Sequence, residues 1–403
     1  MILHLACDND IHPPLFGATQ RLFGLARGMA TRLDVRTLCV VPYRSRGAQA
    51  ERVMNVDIRR TRSWRTSLAW RLERAGLAPF FTIETWHRRR AAVYRALLGE
   101  SPDVLVCDLS LTGLFPGARA ALRVYHAHNV EAERWRSVAP RVWGREYWGA
   151  KLTELERRAV AESDCCVACS EEDASALRTL HGARDVLVAE NGYDETSIAP
   201  ARAEARVRAR AALGIPTGAY VAAFVGGDWA PNHEALSWLV SDVMPKLASE
   251  GIVLLAVGAV ARPLAGRRER WLVTRAETPD LGAILAAADA GLNPVKSGGG
   301  SNVKLPTYLA AGLAVLSTPF GLRGHAPFAG AVAGVERAHF ADALRRRPLG
   351  WAARGESAPP ALAGHAWGAI GAKLAESLAA RVIAAPAKRE PGTHAERSSA
   401  GFR

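Results

Sequence analysis

A run of three glycines, placed between an apolar segment and a helical pattern, constrains the fold of this chain more than any other feature. The segment Asn293–Gly312 runs from Asn-Pro-Val through Lys-Ser-Gly-Gly-Gly-Ser to Leu305, Leu309 and Gly312, which share one face of a helix. Glycine lets the backbone turn tightly and approach a ligand, and the start of a helix offers free N–H groups and a partial positive charge. The pattern predicts a strand, a tight turn and a helix that can hold a phosphate group, with Lys304 one turn into the helix adding a charge.

The segment after this helix decides between a ligand site and an ordinary glycine-rich turn. Residues 313–324 read as a buried strand that ends in a second turn rich in glycine and proline. Two such loops would meet at one edge of an α/β sheet, which is where open parallel sheets bind their ligands. We therefore expect a ligand site at this edge.

The same alternation of strand, loop and helix occurs at the start of the chain. Residues 2–6 and 34–42 read as buried strands, and the loop 8–20 between them leads into a helix. The pattern begins again with a strand at 220–225, which is typical of doubly wound α/β domains. Gly17 opens the first helix and can let a ligand approach, but its surroundings do not match the G-x-G-x-x-G pattern of dinucleotide-binding domains.

The length of the chain predicts more than one domain. A chain of 403 residues is long for a single core, so we predict two domains with limits 1–192 and 193–364. An amphipathic helix is predicted at 365–385. The polar segment 386–403 is predicted to be a disordered tail.

Composition narrows the class of protein and of partner. No apolar run reaches the roughly 18 residues of a membrane span, and residues 1–6 lack the pattern of a signal peptide, so we expect a cytoplasmic protein. Six cysteines lie mostly in apolar runs, and we interpret Cys166 and Cys169 as buried thiols rather than a zinc or redox pair. The formal net charge of +13 favours an acidic partner: a phosphorylated ligand, an anionic membrane surface or a nucleic acid.

Arginines alternate with tryptophans between Arg59 and Arg90. Trp64, Trp70 and Trp86 lie among them. Tryptophan with arginine suits the headgroup region of an anionic membrane, and a solvated helical face with buried tryptophans explains the same pattern. Both interpretations stay open. Stacking on single-stranded nucleic acid is a third and less favoured one.

Two histidines follow one another at the end of a strand predicted at 122–126. His126 and His128 precede Asn129 and Glu131. A histidine at the carboxyl end of such a strand lies where α/β sites form, and it can be a metal ligand, a general base or a hydroxyl-binding group. Metal binding is the weakest of the three interpretations, because the spacing fits no common motif and no carboxylate cluster completes it.

Taken in order, these segments resemble retaining GT-B glycosyltransferases. They are most similar to glycosyltransferase family 4, with its bacterial members that make cell-surface polysaccharides and glycolipids. The resemblance covers residues 1–325 or so. The matching segments are 16–20, 126–131, 168–173, 191–194, 224–232 and 297–304.

The resemblance implies an α/β fold of the GT-B type. Two Rossmann-like, doubly wound domains would face each other across a cleft, and a C-terminal helix would cross back to the first domain. A nucleotide-sugar donor would be the substrate held by the second domain, with no cofactor and no metal. A glycan, a lipid-linked molecule or a small molecule would be the acceptor, lying against the first domain.

The resemblance also implies the residues of the site. His128, His126 and Lys304 are the candidate catalytic residues, with His128 close to the reacting sugar. Backbone N–H groups of residues 298–301 would meet the diphosphate, where preorganised donors and a cation suit the charge that develops on departure. The candidate donor-binding residues are Gly17, Gly227, Asp228, Asn232, Val273, Thr274, Arg275, Ser297, Gly298, Gly299, Gly300, Ser301, Asn302 and Thr307, with 273–275 near the nucleobase.

The chain departs from the family pattern at two points. Many members carry two glutamates separated by seven residues across the glycine stretch, where this chain has Gly299 and Thr307, and Thr307 can still bond a ribose hydroxyl. Many also carry an Arg/Lys pair after the first strand of the second domain, which is missing here. The candidates to replace that pair are Lys304, Lys296 and Arg323.

The leading hypothesis is a retaining, metal-independent glycosyltransferase of the hexosyltransferase type. It would act in the biosynthesis of cell-envelope polysaccharide, in the cytoplasm or on the inner face of the membrane, with residues 59–90 as the membrane contact. A GT-B sugar-nucleotide epimerase is an alternative that would need more carboxylates in the cleft. A non-catalytic protein that binds nucleotide-sugar or glycan is another, motivated by the missing glutamates.

Overall fold

The fold consists of two parallel β-sheets covered by helices. It is known from a computed structural model that describes residues 1–45, 47–138, 142–276 and 280–384. The first sheet has eight strands in the order β3-β4-β2-β1-β5-β6-β7-β8 and the second has six in the order β11-β10-β9-β12-β13-β14. The predicted fold class is confirmed: these are the two Rossmann-like domains of a GT-B fold.

The first sheet is parallel except at one edge, where β3 and β4 form an antiparallel pair. Strands β5 and β7 are apolar and buried along their whole length, as expected for strands covered on both faces. Its strands are β1 (Ile2–Cys7), β2 (Asp34–Pro42), β3 (Ala50–Val53), β4 (Val56–Ser63), β5 (Val104–Cys107), β6 (Leu122–His126), β7 (Cys165–Ala168) and β8 (Val186–Val188).

The second sheet is parallel throughout. Both sheets lie inside the limits predicted for their domains. The strands of the second are β9 (Tyr220–Val225), β10 (Ile252–Val257), β11 (Leu272–Arg275), β12 (Ala290–Asn293), β13 (Ala314–Ser317) and β14 (Ala333–Gly334).

Helices connect the strands and cover both faces of each sheet. They are α1 (Gly17–Met29), α2 (Trp64–Arg74), α3 (Glu84–Arg89), α4 (Ala91–Leu98), α5 (Glu131–Val138), α6 (Arg145–Glu162), α7 (Glu171–His181), α8 (Ala203–Leu213), α9 (Ala230–Trp238), α10 (Leu281–Leu285), α11 (Lys304–Ala310), α12 (Phe340–Arg345) and α13 (Trp367–Ala384). The sequence predicted that Lys304 lies one turn into helix α11. This prediction is wrong, because α11 begins at Lys304.

The C-terminal helix α13 packs on the first domain. Trp367, Ile370 and Leu374 belong to the same buried cluster as Leu22 and Leu25 of α1. The crossing helix that the resemblance implied is therefore confirmed. The predicted tail, 386–403, lies outside the described residues.

The arginine-rich segment is not one helical face. Its first part is strand β4, which carries Arg59, Arg60 and Arg62. The Arg60 side chain is 1% exposed and pairs with Asp10 and Glu51. It therefore stabilises the edge of the sheet, where Glu51 lies on strand β3. The tryptophans are not buried either, since Trp64 and Trp70 are exposed. Periodicity alone did not reveal the strand because its buried face consists of Val56, Ile58 and an arginine, Arg60.

No helix in the described part of the chain combines the length and the apolarity needed to cross a membrane. All six cysteines are unpaired and buried, and burial raises the pKa of the Cys169 thiol to about 12. The interpretation of Cys166 and Cys169 as buried thiols is confirmed.

Candidate active site

Polar residues gather at the carboxyl edge of the first sheet because three neighbouring strands end there. Asp8 follows β1, Asp108 follows β5, and His126 is the last residue of β6. The three strands are adjacent and parallel, so their carboxyl ends meet at one edge. Ser110 donates a hydrogen bond of 2.7 Å to Asp8 and helps to hold the group together.

His126 is held in a single protonation state by its two neighbours. Its Nε2 lies 3.1 Å from Arg21 Nε, and its Nδ1 lies 3.0 Å from Asp108 Oδ1. Because arginine can only donate, Nε2 must accept, and the proton resides on Nδ1 and points at Asp108. Burial, with the neighbouring His128, lowers the pKa of His126 to about 4. The ring is therefore neutral and fixed in orientation.

His128 lies beside His126 and faces the cleft. The two rings are 4.6 Å apart in an edge-to-face arrangement. His128 Nε2 is 3.3 Å from Asp108 Oδ1 but lacks the alignment of a hydrogen bond. Burial would raise the pKa of Asp108, but the two histidines outweigh burial and hold it well below its usual value. Asp108 is therefore an anion between two imidazole rings.

Asp108, His126 and His128 have the residue types of a metal site, with ligand atoms within 4.8 Å of one another. The expectation that no carboxylate completes the histidines is wrong at this point, because β5 brings Asp108 from elsewhere in the chain. Both nitrogens of His126 are already engaged, however, and one of them faces the Arg21 cation. A metal ion would have to displace those partners, so the residues present do not fit a metal well.

The Asp8 carboxyl lies in the same group and responds to the charge of Asp108. Burial, reinforced by Asp108, raises the pKa of Asp8 to about 6. Two carboxyl groups at one edge thus have pKa values pushed in opposite directions, a pattern typical of functional sites.

The glycine loop of the second domain is packed against this edge. Gly298 N–H donates to Ser137 Oγ at 3.0 Å. A Cβ at Gly300 would lie 2.5 Å from the carbonyl oxygen of His128, and Gly300 has a positive φ of 62°. Only glycine fits this position without strain. The loop and the histidine pair therefore face each other across the boundary between the domains.

A continuous chain of hydrogen bonds joins the two domains at this point. Arg21 Nη1 donates to Asn191 Oδ1 at 3.1 Å, and Asn191 Nδ2 donates to the Ser301 carbonyl and hydroxyl oxygens at 2.8 and 2.9 Å. With the contacts of His126, the chain runs from Asp108 to Ser301. The carboxylate of the first domain is thus coupled through buried groups to the loop of the second.

Two cations lie on the second-domain side of this boundary. Lys304 Nζ is 3.0 Å from Asn232 Oδ1 and 4.4 Å from the centre of the Phe224 ring, and burial lowers its pKa to about 7. Arg323 has a buried Nε and Nη2 with no hydrogen-bond partner among the described residues, and its nearest carboxylate oxygen, on Asp173, is 3.5 Å from Nη2. Both groups are suited to an anion.

Two protein families match the chain, one for each domain. Residues 17–197 match Glycosyltransferase Family 4, and residues 219–346 match Glycosyl transferases group 1. The chain belongs to the GT-B glycosyltransferases. No curated protein matches it in sequence.

Solved structures share the fold of this glycosyltransferase over almost its whole length. Sucrose-phosphate synthase from Thermosynechococcus elongatus has a TM-score of 0.63 at 15% identity, covering 95% of this chain and 96% of that one. A UDP-forming α,α-trehalose-phosphate synthase from Burkholderia xenovorans has a TM-score of 0.64 at 12% identity, covering 94% and 99%. WaaG, a glycosyltransferase involved in lipopolysaccharide biosynthesis, has a TM-score of 0.57 at 16% identity, covering 96% and 100%.

Several other predicted residues of the glycosyltransferase line the same boundary. A Cβ at Gly227 would lie 3.1 Å from Phe16 Cβ, and one at Gly17 would lie 3.5 Å from the side chain of Val303. Asn232 links Gly227 to Lys304, because its Nδ2 donates to the Gly227 carbonyl oxygen.

Some predicted residues have other local roles. Thr307 donates to the Val303 carbonyl, Asn302 donates to the Gly321 carbonyl, and Asp228 pairs with His233 at the surface. Ser297 is half-buried. A Cβ at Gly299 would meet Arg134. Val273, Thr274 and Arg275 lie on the edge strand β11, and two strands separate it from the glycine loop's own strand in the sheet order β11-β10-β9-β12.

Sequence reasoning missed Arg21, Asn191, Asp8 and Asp108 as site residues. A usable signal existed for the two aspartates, because each directly follows a buried strand. Arg21 carried no such signal, since its position in the first helix places it among residues that merely cover the sheet. Its role depends on β7, β8 and Asn191 meeting at one point, where it also donates to the Ala189 carbonyl at 2.7 Å.

Proposed function

We propose that this protein transfers a sugar from a nucleotide-sugar donor to an acceptor hydroxyl with retention of configuration. The observation that carries the proposal is the buried chain of hydrogen bonds from Asp108 through His126, Arg21 and Asn191 to Ser301. This chain of hydrogen bonds holds the glycine loop, which is suited to a phosphate group, opposite His126 and His128. This is the arrangement that a reaction between a donor on one domain and an acceptor on the other requires.

The second domain would hold the diphosphate of the donor. Backbone N–H groups of residues 299–301, the guanidinium of Arg323 and the amine of Lys304 would meet this diphosphate, and they would stabilise the negative charge that builds up on the leaving group. Lys296 is not part of this set, because it is exposed and pairs with Glu234. Arg323 and Lys304 would therefore take the place of the missing Arg/Lys pair.

The first domain would orient the transferred sugar. His126 is neutral and immobilised, and His128 is beside it with part of its ring open to the cleft. Neutral imidazole can donate to and accept from sugar hydroxyls. Both nitrogens of His126 are engaged by Arg21 and Asp108, so His126 would position the neighbouring His128 ring, and His128 would contact the sugar.

The reaction would break the bond between the anomeric carbon and the diphosphate oxygen and form a bond from the same face to the acceptor oxygen. The proton of the acceptor hydroxyl would pass to the departing diphosphate. No metal takes part in the proposed step, because the leaving-group charge is met by Arg323, Lys304 and N–H groups.

The matched structures suggest where to look for substrates. One neighbour is a UDP-forming trehalose-phosphate synthase, which favours UDP-sugars as the first donors to test. Another is involved in lipopolysaccharide biosynthesis, which favours a glycan or lipid-linked acceptor in the cell envelope.

The test is release of nucleoside diphosphate from UDP-, GDP- and dTDP-sugars with glycan or lipid extract as acceptor. We expect release with one donor class, an unchanged rate in the presence of a chelator, and a product whose anomeric configuration by NMR equals that of the donor. Lys304→Ala and Arg323→Ala should lower kcat by about a hundredfold each, as loss of a transition-state donor does. Lys246→Ala, at an exposed lysine elsewhere on the second domain, should not.

Three results would overturn parts of the proposal. An inverted anomeric centre would exclude retention. Conversion of the donor to its epimer without acceptor would favour the epimerase alternative. Binding of a nucleotide-sugar with no turnover of any donor would favour a binding protein.

A further inference from the structure

An exposed patch of aromatic and arginine side chains lies on the first domain, outside the cleft. Helix α2 contributes Trp64, Trp70, Arg71 and Arg74, the following turn contributes Leu77, and the turn before α6 contributes Trp143. We call these six residues the aromatic–arginine patch. Trp143 is 84% exposed, Leu77 61% and Trp64 58%.

The patch is one surface built from two distant segments. Trp70 and Arg74 are four residues apart in α2 and share one side of the helix. The turn after the helix folds back on it, because the Leu77 N–H donates to the Leu72 carbonyl at 2.9 Å. The backbone N–H of Trp143 donates to the Gly76 carbonyl at 3.1 Å. This bond brings Trp143 next to the turn that carries Leu77. Helices α3, α4 and α5 and strands β5 and β6 lie between the two segments in the sequence, and only packing brings them together.

The exposed large apolar side chains are concentrated in the first domain. All three exposed tryptophans among the described residues belong to the patch, whereas the described part of 193–364 exposes only Val207 and Leu349 among its large apolar side chains. Scattered single residues are normal on a surface, but adjacent large ones indicate an interaction site.

The patch also carries an excess of positive charge. Arg71 and Arg74 form no ion pair among the described residues, and Glu73, which accepts from Phe80 N–H, is the one carboxylate between them in the sequence. Glu84 on the neighbouring helix pairs with Arg88 and Arg158. Arg65 lies over the Trp64 ring at 4.8 Å. The charge requires an acidic partner, and a second copy of this chain would present the same cations.

We propose that the aromatic–arginine patch docks the protein on a membrane surface that contains anionic lipid. Tryptophan rings settle at headgroup level while arginines meet lipid phosphates, and Leu77 adds an aliphatic side chain that enters the acyl boundary. A nucleic acid base would stack on the tryptophans but gains little from a leucine, which has no flat ring.

The patch is one helix away from the cleft. Helix α5 carries Trp135, whose ring packs edge-to-face on Phe81 beneath the patch, and Ser137, which accepts from Gly298 of the glycine loop. Docking through the patch would therefore bring the first-domain side of the cleft close to the membrane. This last point rests on the proposed function, whereas the docking itself does not.

Sedimentation of the full chain with vesicles tests the proposal. We expect it to bind vesicles of phosphatidylcholine with phosphatidylglycerol and to bind pure phosphatidylcholine far less. Arg71→Ala/Arg74→Ala should lower the partition coefficient by about 25-fold, since each arginine near an anionic surface contributes about fivefold. Trp143→Ala should weaken binding at both low and high salt, because its contribution is not ionic.

Matched controls separate docking from general charge and from folding. Arg268→Ala/Arg270→Ala removes two exposed arginines of the second domain and should change the partition coefficient little. All variants should keep the thermal midpoint of the parent, since the replaced side chains are exposed. Release of nucleoside diphosphate with a soluble acceptor should also be unchanged, so failure to dock and failure to transfer are distinguishable.

Three outcomes would overturn the proposal. The first is equal binding of the parent and Arg71→Ala/Arg74→Ala to anionic vesicles. The second is no binding of the parent to them. The third is a different occupant of the patch, shown either by tighter binding to single-stranded oligonucleotides than to vesicles or by a concentration-dependent dimer that Trp143→Ala abolishes.

Discussion

At the scale of single residues, the site depends on side chains whose protonation is set by their neighbours. Arg21 donates to His126 Nε2, which must therefore accept, and His126 Nδ1–H donates a hydrogen bond to Asp108. Asp8 lies in the same group and forms no ion pair with any described residue, and burial raises its pKa to about 6. Ionised Asp8 therefore lowers the stability of the fold at neutral pH.

This gives a prediction for Asp8→Asn. Because the folded-state pKa is raised, stability due to Asp8 is fully present below its unfolded value and lost as pH rises through about 6. The amide variant lacks this cost, so at pH 8 its free energy of unfolding should exceed that of the parent by up to about 3 kcal/mol. The gain should shrink as pH falls towards 4. Thermal or urea unfolding across this range measures it.

The control is Asp242→Asn, at an exposed aspartate, which should change stability little at any pH. A loss of stability for Asp8→Asn at pH 8 would show that the ionised carboxylate is needed for folding, and would contradict the prediction.

At the scale of elements, the two helices α1 and α13 determine how the C-terminal segment joins the first domain. They approach closely because glycines face each other: a Cβ at Gly28 would lie 2.6 Å from the Trp367 carbonyl oxygen and 2.7 Å from the Gly371 Cα. The amphipathic pattern of 365–385 predicted a helix. The glycines that let it pack had no distinguishing signal, because nothing in the sequence shows which helices touch.

We predict that Gly28→Ala destabilises the protein. Alanine in a helix interior is normally favourable by about 1 kcal/mol over glycine, but here its methyl group would meet backbone atoms, and overpacking costs about 1–3 kcal/mol. The sign of the change in the free energy of unfolding therefore shows whether α1 and α13 are in close contact at Gly28. Equilibrium unfolding in urea measures it.

Gly368→Ala in α13 provides the comparison. There the added methyl would meet only the tip of the Glu195 side chain, which can move. We expect it to be neutral or stabilising. If Gly28→Ala stabilised the protein as much, the helices would not be as close as described.

At the scale of the whole molecule, the site exists because the two domains meet at the glycine loop. Gly300 lies against His128, and Ser301 lies against Asn191. Neither sheet contains a complete site of its own. The separation of the domains should therefore affect activity more than it affects stability.

We predict that Gly300→Ala lowers turnover by about a hundredfold, because misplacing reacting groups by about 1 Å costs that much. The added Cβ would push the loop away from the His128 carbonyl, so the radius of gyration from X-ray scattering should rise. The matched control is Gly266→Ala, which also has a positive φ, of 90°, but open space around it. In both variants the alanine is strained by the positive φ. Only Gly300→Ala should lose turnover. Equal turnover in the two variants would contradict the prediction.

The sequence by itself determined the fold class and the existence of the loop. Buried strands alternating with helices predict parallel sheets, and three glycines before a helix predict a backbone that approaches a ligand, because both follow from local chemistry. Two residues of the site, His126 and His128, could be found in the same way, since they end a strand.

Only the tertiary structure decided which side chains act together. Asp108 joins the histidines because β5 and β6 are neighbours, and Arg21 and Asn191 complete the link because four elements meet at one point. The aromatic–arginine patch likewise depends on Trp143 reaching Gly76. Contacts between distant segments depend on packing, and packing depends on the whole chain at once.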